Sequence, residues 1–478
     1  MNQPPFPRRQ FLGSMLSLMG GTAAPFALNL AAMGTAAAQS ATDYKAVVCL
    51  FMNGGNDGHN TVLATDSTSW NEYQRVRTTG DAADAIALPA VGATGGVLPI
   101  TPVSAQGGRS FAVHPTLGPI KTLFDAGRAA IIANVGTLLE PTTLAQYKAR
   151  SVALPSRLFS HNDQQAMWQS YKPEGAPSGW GGQMADLMAS SNSNATFTCI
   201  STAGNAVFLS GRQVRQYQIA SAGAVPISNL NSDLFGMSSG ANPLRNVTTG
   251  QHSDMFEKEY TDVVNRAINA HGMLSTGMAP AGDTGVPNPP PYINPTTQVS
   301  KNNNLATQLQ TVARIIAGRN AFGTKRQVFF VNLGGFDNHD AQKANHADVL
   351  TRVAHAVAYF DAVLANLQGV DMRKQVTLFT ASDFGRTLTS NGDGTDHGWG
   401  SHHFVVGGAV KGCDIYGNFP VTGLKHDLDV GSGSLLPTLS VDQYGATIAR
   451  WFGLADSQLA DVFPNIGNFT NRNLGFLG

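Results

Sequence analysis

Cysteine is scarce in this chain, and its few occurrences lie far apart. Cys49, Cys199 and Cys413 are the three cysteines among 478 residues. They cannot all pair with one another, and no Cys-x-x-Cys motif is formed. A fully paired disulfide framework and a Cys-x-x-Cys metal site are therefore excluded. The turn after the first apolar run also lacks a Gly-x-Gly-x-x-Gly motif, which argues against dinucleotide binding.

An excess of charge of either sign is missing as well. Lysine and arginine together number 31, and so do aspartate and glutamate. No basic field is present to attract nucleic acid or an anionic membrane, so neither is expected as a partner. Glycine, by contrast, is abundant at 52 residues, which favours a loop-rich α/β architecture with backbone packed closely around sites.

Residues 1–38 have the features of an export signal rather than of a folded segment. Arg8 and Arg9 precede an apolar stretch, and the three alanines at 36–38 supply a small-residue cleavage pattern. Glycines and Pro25 interrupt the apolar stretch, so it is weaker than a stable membrane helix. We therefore expect cleavable twin-arginine export to the periplasm or the exterior, with no stable membrane insertion after cleavage.

Three apolar, β-branched runs each lead into a glycine-rich loop that carries acids and histidines. The runs are Lys45 to Asn53, Gln327 to Asn332 and Val376 to Thr380. Their lengths and composition suit buried strands of a parallel sheet. Open α/β sheets bind ligands at the carboxyl ends of their strands, so we expect the three loops to meet at one edge.

Apolar stripes at helical spacing separate these runs. One lies between Leu305 and Gly318, and another, from about 341 to 367, connects the second run to the third as a crossover helix. We predict an α/β fold with a doubly wound, mainly parallel sheet and helices on both faces, in one domain spanning 44–478. Residues 65–110 are expected to form a surface excursion, and residues 205–300 a peripheral, loop-rich region.

The loops after the three runs supply candidate metal ligands. These are Asp57, Asp337, His339, Asp383, Asp396 and His397, with His402 next. Carboxylates with imidazoles suit zinc, whereas carboxylates with water suit magnesium, manganese or calcium, so a divalent metal of unassigned identity is expected. The alternative is that each aspartate caps a turn or a helix start and that each histidine is only solvated or hydrogen-bonded.

The segment from 151 to 171 is unusually dense in polar groups. Arg157, Ser160, His161 and Asp163 fall within seven residues. Ser160 is the candidate nucleophile and Arg157 the candidate clamp for an anionic oxygen. The alternatives are a helix N-cap for Ser160 and a solvated side chain for Arg157.

Motifs along the chain resemble an exported bacterial family called domain of unknown function 1501. They are FMNGGNDGHNT, SHNDQQAMW, GGFDNHDAQ, TASDFGRT, GTDHGWGSHHFVVGGAVKG and DQYGATIARWFGL. That family is similar to the alkaline phosphatase and sulfatase superfamily, which places metal ligands on strand-end loops. The resemblance implies that Asp57 is the first-strand aspartate, that Asp337 and His339 form the Asp-and-His loop, and that Asp383 and His397 supply the later ligands.

The sequence departs from the superfamily pattern at three points. Phe384 follows Asp383 where a metal-binding histidine usually stands, and Asp337 and His339 are two residues apart rather than four. Ala153 occupies the place of a sulfatase cysteine, so an ordinary sulfatase is not expected. The resemblance implies an exported metal-dependent hydrolase of phosphate or sulfate esters, small or polymer-borne. The alternative is a non-catalytic exported binding protein that retains the fold.

Overall fold

The computed structural model describes residues 43–79, 85–220, 223, 227–230 and 232–478. The predicted export signal, residues 1–38, lies outside the described residues. Within them, no helix combines the length and apolar character needed to span a bilayer.

A nine-stranded sheet forms the centre of the described part of the chain. Its strands are β1 (Lys45–Met52), β2 (Ala129–Gly136), β3 (Cys199–Ser201), β4 (Tyr217–Gln218), β5 (Arg326–Leu333), β6 (Val376–Ser382), β7 (Ser401–Val406), β8 (Asp414–Tyr416) and β9 (Leu439–Ser440). The order across the sheet is β8-β2-β7-β6-β1-β5-β3-β4, and β9 also pairs with β2. β7 runs antiparallel to both neighbours, and the other pairings are parallel.

Helices cover both faces of this sheet. The α-helices of the described residues are α1 (Gly58–Thr61), α2 (Ser67–Arg77), α3 (Gly118–Asp125), α4 (Leu144–Ala149), α5 (His161–Ser170), α6 (Trp180–Met188), α7 (Pro243–Thr249), α8 (Met255–Gly277), α9 (Asn304–Ala317), α10 (Gln342–Leu364), α11 (Val441–Phe452) and α12 (Leu459–Val462). Side chains of β1 alternate between the two faces, because successive residues of a strand point in opposite directions. Val48 packs in the core that includes α9 and α10, and Val47 in the core that includes α6 and α11. The predicted doubly wound, mainly parallel α/β architecture is confirmed.

The three apolar runs are neighbours in the centre of the sheet. β1 lies between β5 and β6, and Met52 is in register with Leu333 of β5 and with Ser382 of β6. All three strands therefore end at one level, as the sequence predicted.

Residues 65–110 contain more regular structure than the sequence indicated. α2 lies within them, and a small antiparallel sheet joins Val62–Ala64, Phe111–Val113 and Leu98–Ile100. The mean hydropathy of α2 is low and its sequence mixes aromatic and charged residues, so no clean apolar stripe marks it. Its last residue, Arg77, is nevertheless completely buried.

The segment from 205 to 300 also contains a long helix. α8 has 23 residues, and Thr261, Ala270 and Leu274 are its buried positions. Most of its surface is therefore exposed, which explains why its apolar pattern is weak in the sequence.

Candidate metal centre

The loops after β1 and β5 approach each other with almost no space between them. Gly54 has a φ of 116°, and a Cβ atom there would lie 2.4 Å from the backbone nitrogen of Asp337. Only glycine permits this approach. The N–H of Gly54 also donates a hydrogen bond to Oδ2 of Asp383, at 3.1 Å. The ends of β1, β5 and β6 are thereby joined into one site.

Three side chains from separate segments converge at these strand ends. His161 begins α5, Asp337 follows β5, and His397 ends the short strand Thr395–His397; one ligand atom of each lies within 4.8 Å of the others. Nε2 of His161 is 3.3 Å from Oδ2 of Asp337, and Nε2 of His397 is 3.4 Å from Oδ1. These three residues are called the ligand cluster below.

Hydrogen bonds fix the ring orientation of both histidines in the ligand cluster. Nδ1 of His161 is 2.7 Å from Oδ2 of Asp383, and Nδ1 of His397 is 2.7 Å from the carbonyl oxygen of Phe159. Both partners are acceptors, so each Nδ1 must carry the proton and donate it. In the neutral rings, both Nε2 lone pairs then face Asp337. Metal-ligating histidines in proteins are held in this way by a carboxylate or a carbonyl on the far nitrogen.

The atoms that face one another in the ligand cluster suit a divalent cation. Nε2 of His161 is buried and has no hydrogen-bond partner among the described residues, and the same holds for Oδ1 of Asp383. Two imidazole nitrogens and a carboxylate form a donor set that zinc and related divalent metals accept. The hydrogen bond to Asp383 raises the pKa of His161, so a proton at Nε2 competes with a metal for this position. The residues present fit a divalent metal ion.

Arg386 holds Asp337 from the other side. The guanidinium is buried and donates to Oδ1 of Asp337, to the carbonyls of Gly54 at 2.7 Å and Gly55 at 3.0 Å, and to that of Thr395 at 2.9 Å. Burial acts to raise the pKa of Asp337, but Arg386 outweighs it and the pKa is lowered. Asp337 is thus kept ionised, with Oδ2 left towards His161.

His339 adjoins the ligand cluster, and Asp396 lies at its exposed rim. Nε2 of His339 is 3.0 Å from Oδ1 of Asp337 and 3.0 Å from Nε2 of His397. Nδ1 of His339 is 3.6 Å from Oδ1 of Asp396, whose side chain is 64% exposed. His339 can therefore serve as a further ligand, whereas Asp396 reaches the centre only through His339.

Asp383 supports the ligand cluster from behind. It is 1% exposed, and its Oδ2 accepts hydrogen bonds from His161, from Nε2 of Gln165 at 2.9 Å and from the N–H of Gly54. The structure therefore places this predicted ligand one step behind His161, whose ring it orients.

Asp57 forms an ion pair with an arginine side chain. Both its oxygens accept hydrogen bonds from the guanidinium of Arg77, and Oδ2 also accepts one from Nε2 of Gln342 at 2.6 Å. Burial acts to raise the pKa of Asp57, but Arg77 outweighs it and the pKa is lowered. The structure does not bring Asp57 into the ligand cluster.

His402 is likewise held elsewhere. It is 2% exposed, accepts the N–H of Asn134 at Nδ1 over 3.2 Å, and stacks on Phe419 with ring centroids 4.4 Å apart. His402 is therefore a buried histidine of the core and lies outside the ligand cluster.

Phe384 packs against both histidines of the ligand cluster. Its ring centroid is 4.9 Å from that of His161 and 4.6 Å from that of His397. Behind it, a Cβ atom at Gly55 would come within 2.5 Å of the ring. Phe384 therefore fills the space beside the imidazoles with an apolar wall rather than with another ligand.

The two predicted catalytic residues lie at the start of α5. Ser160 occupies the N-cap position, but its hydroxyl donates to Oδ2 of Asp163 at 2.9 Å rather than capping the backbone. Asp163 is 6% exposed, so the hydroxyl is next to a largely buried carboxylate. The side chain of Arg157 is 80% exposed and its Nε is 4.0 Å from Asp163. Ser160 directly precedes His161 of the ligand cluster, whereas Arg157 faces solvent.

Several residues that shape this centre, or that hold Asp57 away from it, were not apparent from the sequence: Arg77, His161 as a candidate ligand, Gln165, Gln342 and Arg386. His161 belongs to the polar segment that was singled out, but its partners are 176 and 222 residues away in the chain, as its contacts with Asp337 and Asp383 show. Arg386 lies within the TASDFGRT motif, three residues after Asp383, and this position was the one indication of its role in the sequence. Nothing in the local sequence distinguishes the buried Arg77 from the exposed Arg75.

Several solved structures are similar to this chain at low identity. A Bacteroides thetaiotaomicron protein named for the metabolism of glycosaminoglycans is 12% identical, with a TM-score of 0.32, over 87% of this chain and 74% of that one. A sulfatase from a Pseudoalteromonas species is 10% identical, with a TM-score of 0.31, over 90% and 71%. Alkaline phosphatase from the Antarctic bacterium TAB5 is 10% identical, with a TM-score of 0.27, over 80% and 97%. Similarities this weak carry no argument about activity.

None of the curated proteins matches the chain. One family model does, over residues 44–462, and it includes every residue of the ligand cluster. The chain belongs to the family described as protein of unknown function, DUF1501.

Proposed function

We propose that this protein is an exported, metal-dependent hydrolase of phosphate or sulfate esters. The observation that carries the proposal is the convergence of two Nε2 lone pairs and an ionised carboxylate, each fixed by a hydrogen bond on its far side. A functional centre is expected to hold its side chains in place before a ligand binds. Such an arrangement commonly lowers the stability of the fold, so its presence points to a function. The ester class is supported by the motifs of the DUF1501 family, because that family is similar to the alkaline phosphatase and sulfatase superfamily.

The candidate ligands are His161, Asp337 and His397, with His339 adjoining them. A divalent cation held there would supply Lewis-acid polarisation of an ester oxygen. Arg386 keeps Asp337 ionised and oriented, and Asp383 orients the ring of His161. Export by the twin-arginine route belongs to the same proposal.

The hydroxyl of Ser160 is the proposed nucleophile. Asp163 accepts its proton in the hydrogen bond of 2.9 Å, and a carboxylate in this position can act as the general base. Attack by this hydroxyl on the phosphorus or sulfur atom would break the ester bond, release the alcohol with the proton taken up by Asp163, and leave the phosphoryl or sulfuryl group on Ser160 for hydrolysis by water. A water molecule at the centre is the alternative nucleophile.

The rival function is a non-catalytic binding protein, and Phe384 is the observation that favours it. Its ring covers one side of both imidazoles and leaves less room for a second metal. A binding protein would retain the ligand cluster without turning over an ester.

The test combines elemental analysis of the purified protein with assays on aryl phosphate and aryl sulfate esters. We expect stoichiometric divalent metal and measurable hydrolysis in the unmodified protein, and loss of both in His161→Ala and His397→Ala. His271→Ala is the matched control, because His271 lies on α8, outside the ligand cluster. Metal without hydrolysis of any ester would favour the binding protein, and absence of metal in the unmodified protein would sink the proposal.

Ser160→Ala separates the two nucleophiles. If Ser160 attacks, the variant keeps its metal and loses hydrolysis by a factor of about 10³ or more. If water attacks, both the metal and most of the activity remain.

A further inference from the structure

A second polar surface adjoins the ligand cluster. A cleft of about 340 Å³ opens alongside α5. Six of the residues that line it carry side-chain carboxamides: Asn53, Asn162, Gln165, Gln169, Asn205 and Asn332. They come from the loop after β1, from α5, from the segment after β3 and from β5. These six residues are called the amide cleft below.

Protein contacts already orient part of the amide cleft. Nε2 of Gln165 donates to Asp383 at 2.9 Å, and Oε1 of Gln169 accepts the N–H of Phe208 at 3.0 Å. Oδ1 of Asn205 accepts a hydrogen bond from a neighbouring glutamine side chain at 3.1 Å. Each amide is fixed at one atom and leaves its other polar atom for a ligand, so less ordering is required on binding.

Two other side chains of the amide cleft are available to bind a ligand. The side chains of Asn162 and Asn332 have no hydrogen-bond partner among the described residues, and both line the cleft. Each offers two N–H donors and a carbonyl acceptor. The cleft therefore presents a mixture of donors and acceptors rather than one kind.

Charge indicates what such a surface recognises. Glu174 is the charged side chain among the described residues that line the cleft, and no lysine or arginine accompanies it. A phosphate or sulfate group would meet one negative charge and no positive one. A hydroxyl group, by contrast, both donates and accepts, and it matches a carboxamide on both counts. Phe330 adds an apolar ring to the wall, which suits the C–H face of a sugar.

We propose that the amide cleft binds a neutral, polyhydroxylated group, a sugar or another polyol. On the proposed function, this group is the alcohol part of the ester whose anionic part meets the ligand cluster. Gln165 connects the two regions, because it lines the cleft and also holds Asp383, which orients His161.

The test measures sugar binding directly, without relying on hydrolysis. Saturation-transfer NMR on the purified protein would use galactose, maltotetraose and cellotetraose as probes, and titration would give the Kd. We expect at least one probe to bind, and the double variant Asn162→Ala, Asn332→Ala to raise its Kd roughly tenfold through the loss of two hydrogen bonds. Asn302→Ala is the control, since Asn302 is exposed and lies outside the cleft.

Either of two results would overturn the inference: no probe binds, or the double variant binds as tightly as the unmodified protein. Competition of inorganic sulfate with the bound sugar would overturn it too, by showing an anion site. Sugar binding without metal or hydrolysis would instead contradict the proposed function and support sugar recognition by the amide cleft. Hydrolysis of aryl esters without sugar binding would contradict sugar recognition by the amide cleft and would leave the proposed function in place.

Discussion

The Nδ1–H of His161 donates to Oδ2 of Asp383 across 2.7 Å, although 222 positions separate the two residues in the chain. Asp383→Asn would keep an acceptor for this proton but would remove the negative charge. We expect metal affinity to fall about 10- to 100-fold, the range seen when partners of metal-bound histidines are changed. Competition with a chelator would measure the affinity.

Asp461→Asn is the control for that change, because Asp461 is exposed and lies on α12, away from the site. Thermal unfolding would confirm that both variants fold. Unchanged metal affinity in folded Asp383→Asn would mean that the carboxylate plays no part in the centre.

Gly55→Ala tests the wall formed by Phe384. The new methyl group would lie 2.5 Å from the Phe384 ring at a φ of 83°, so both strain and a clash are expected. The free energy of unfolding should fall by about 2 to 4 kcal/mol, and metal affinity should fall with it as the ring moves against the histidines.

Gly92→Ala provides the matched comparison for this substitution. Gly92 has the same φ of 83°, but a Cβ atom there would meet no other atom within 4 Å. It shares the backbone strain without the clash, so it should destabilise the protein less and leave metal affinity unchanged. Equal effects of the two substitutions would show that contact with Phe384 is unimportant.

Arg77→Met tests the buried ion pair with Asp57. The two side chains are 0% and 3% exposed, so loss of the guanidinium leaves a carboxylate buried without its charge partner. The free energy of unfolding should fall by about 3 to 5 kcal/mol in chemical denaturation. Adding Asp57→Asn should restore part of the loss, because the uncompensated charge is then absent.

Arg75→Met, on the same helix, is the control for Arg77. Arg75 pairs with Glu72 at the surface, and its side chain is 61% exposed, so its removal should have little effect. Similar losses from the two arginines would contradict a special role for the buried pair.

Asp442 should make stability depend on pH. Burial raises its pKa from 3.8 to about 7. The folded state therefore holds this proton more tightly than the unfolded chain does. The contribution of protonated Asp442 to the free energy of unfolding is complete below pH 3.8, and it is lost as the pH rises through about 7.

Asp442→Asn removes that ionisation and keeps an acceptor for the N–H of Asn465, which lies 2.9 Å from Oδ1. The variant should gain stability over the unmodified protein between pH 4 and pH 8, by roughly 2 to 4 kcal/mol. Denaturant unfolding at a series of pH values would measure this. A difference that stays constant with pH would show that Asp442 is ionised throughout.

The sequence predicted the framework of this fold better than the details of its centre. β1, β5 and β6 are long apolar runs, and such runs identify buried strands without knowledge of their partners. The antiparallel direction of β7 was not predicted, because strand direction depends on the path of the chain rather than on composition. Asp337, His339 and His397 were named from their loops, and the structure places them together.

Contacts between distant segments account for what the sequence did not indicate. His161 becomes a candidate ligand only when α5 lies against the loops after β5 and β6. Asp57 carries the same local pattern as Asp337, yet Arg77 from an unpredicted helix occupies both its oxygens. Local sequence cannot separate these two aspartates, because their difference lies in which cation reaches each one.

The level at which β1, β5 and β6 end also fixes when the centre can exist during folding. The hydrogen bond between Gly54 and Asp383 joins residues that are 329 positions apart in the chain. The strand Thr395–His397, which carries His397, follows later still. Contacts of such long range are slow to form, since a large loop must close before they are made. A chain whose C-terminal third has not yet paired has no ligand cluster, so capture of a metal there would report that the central strands have assembled.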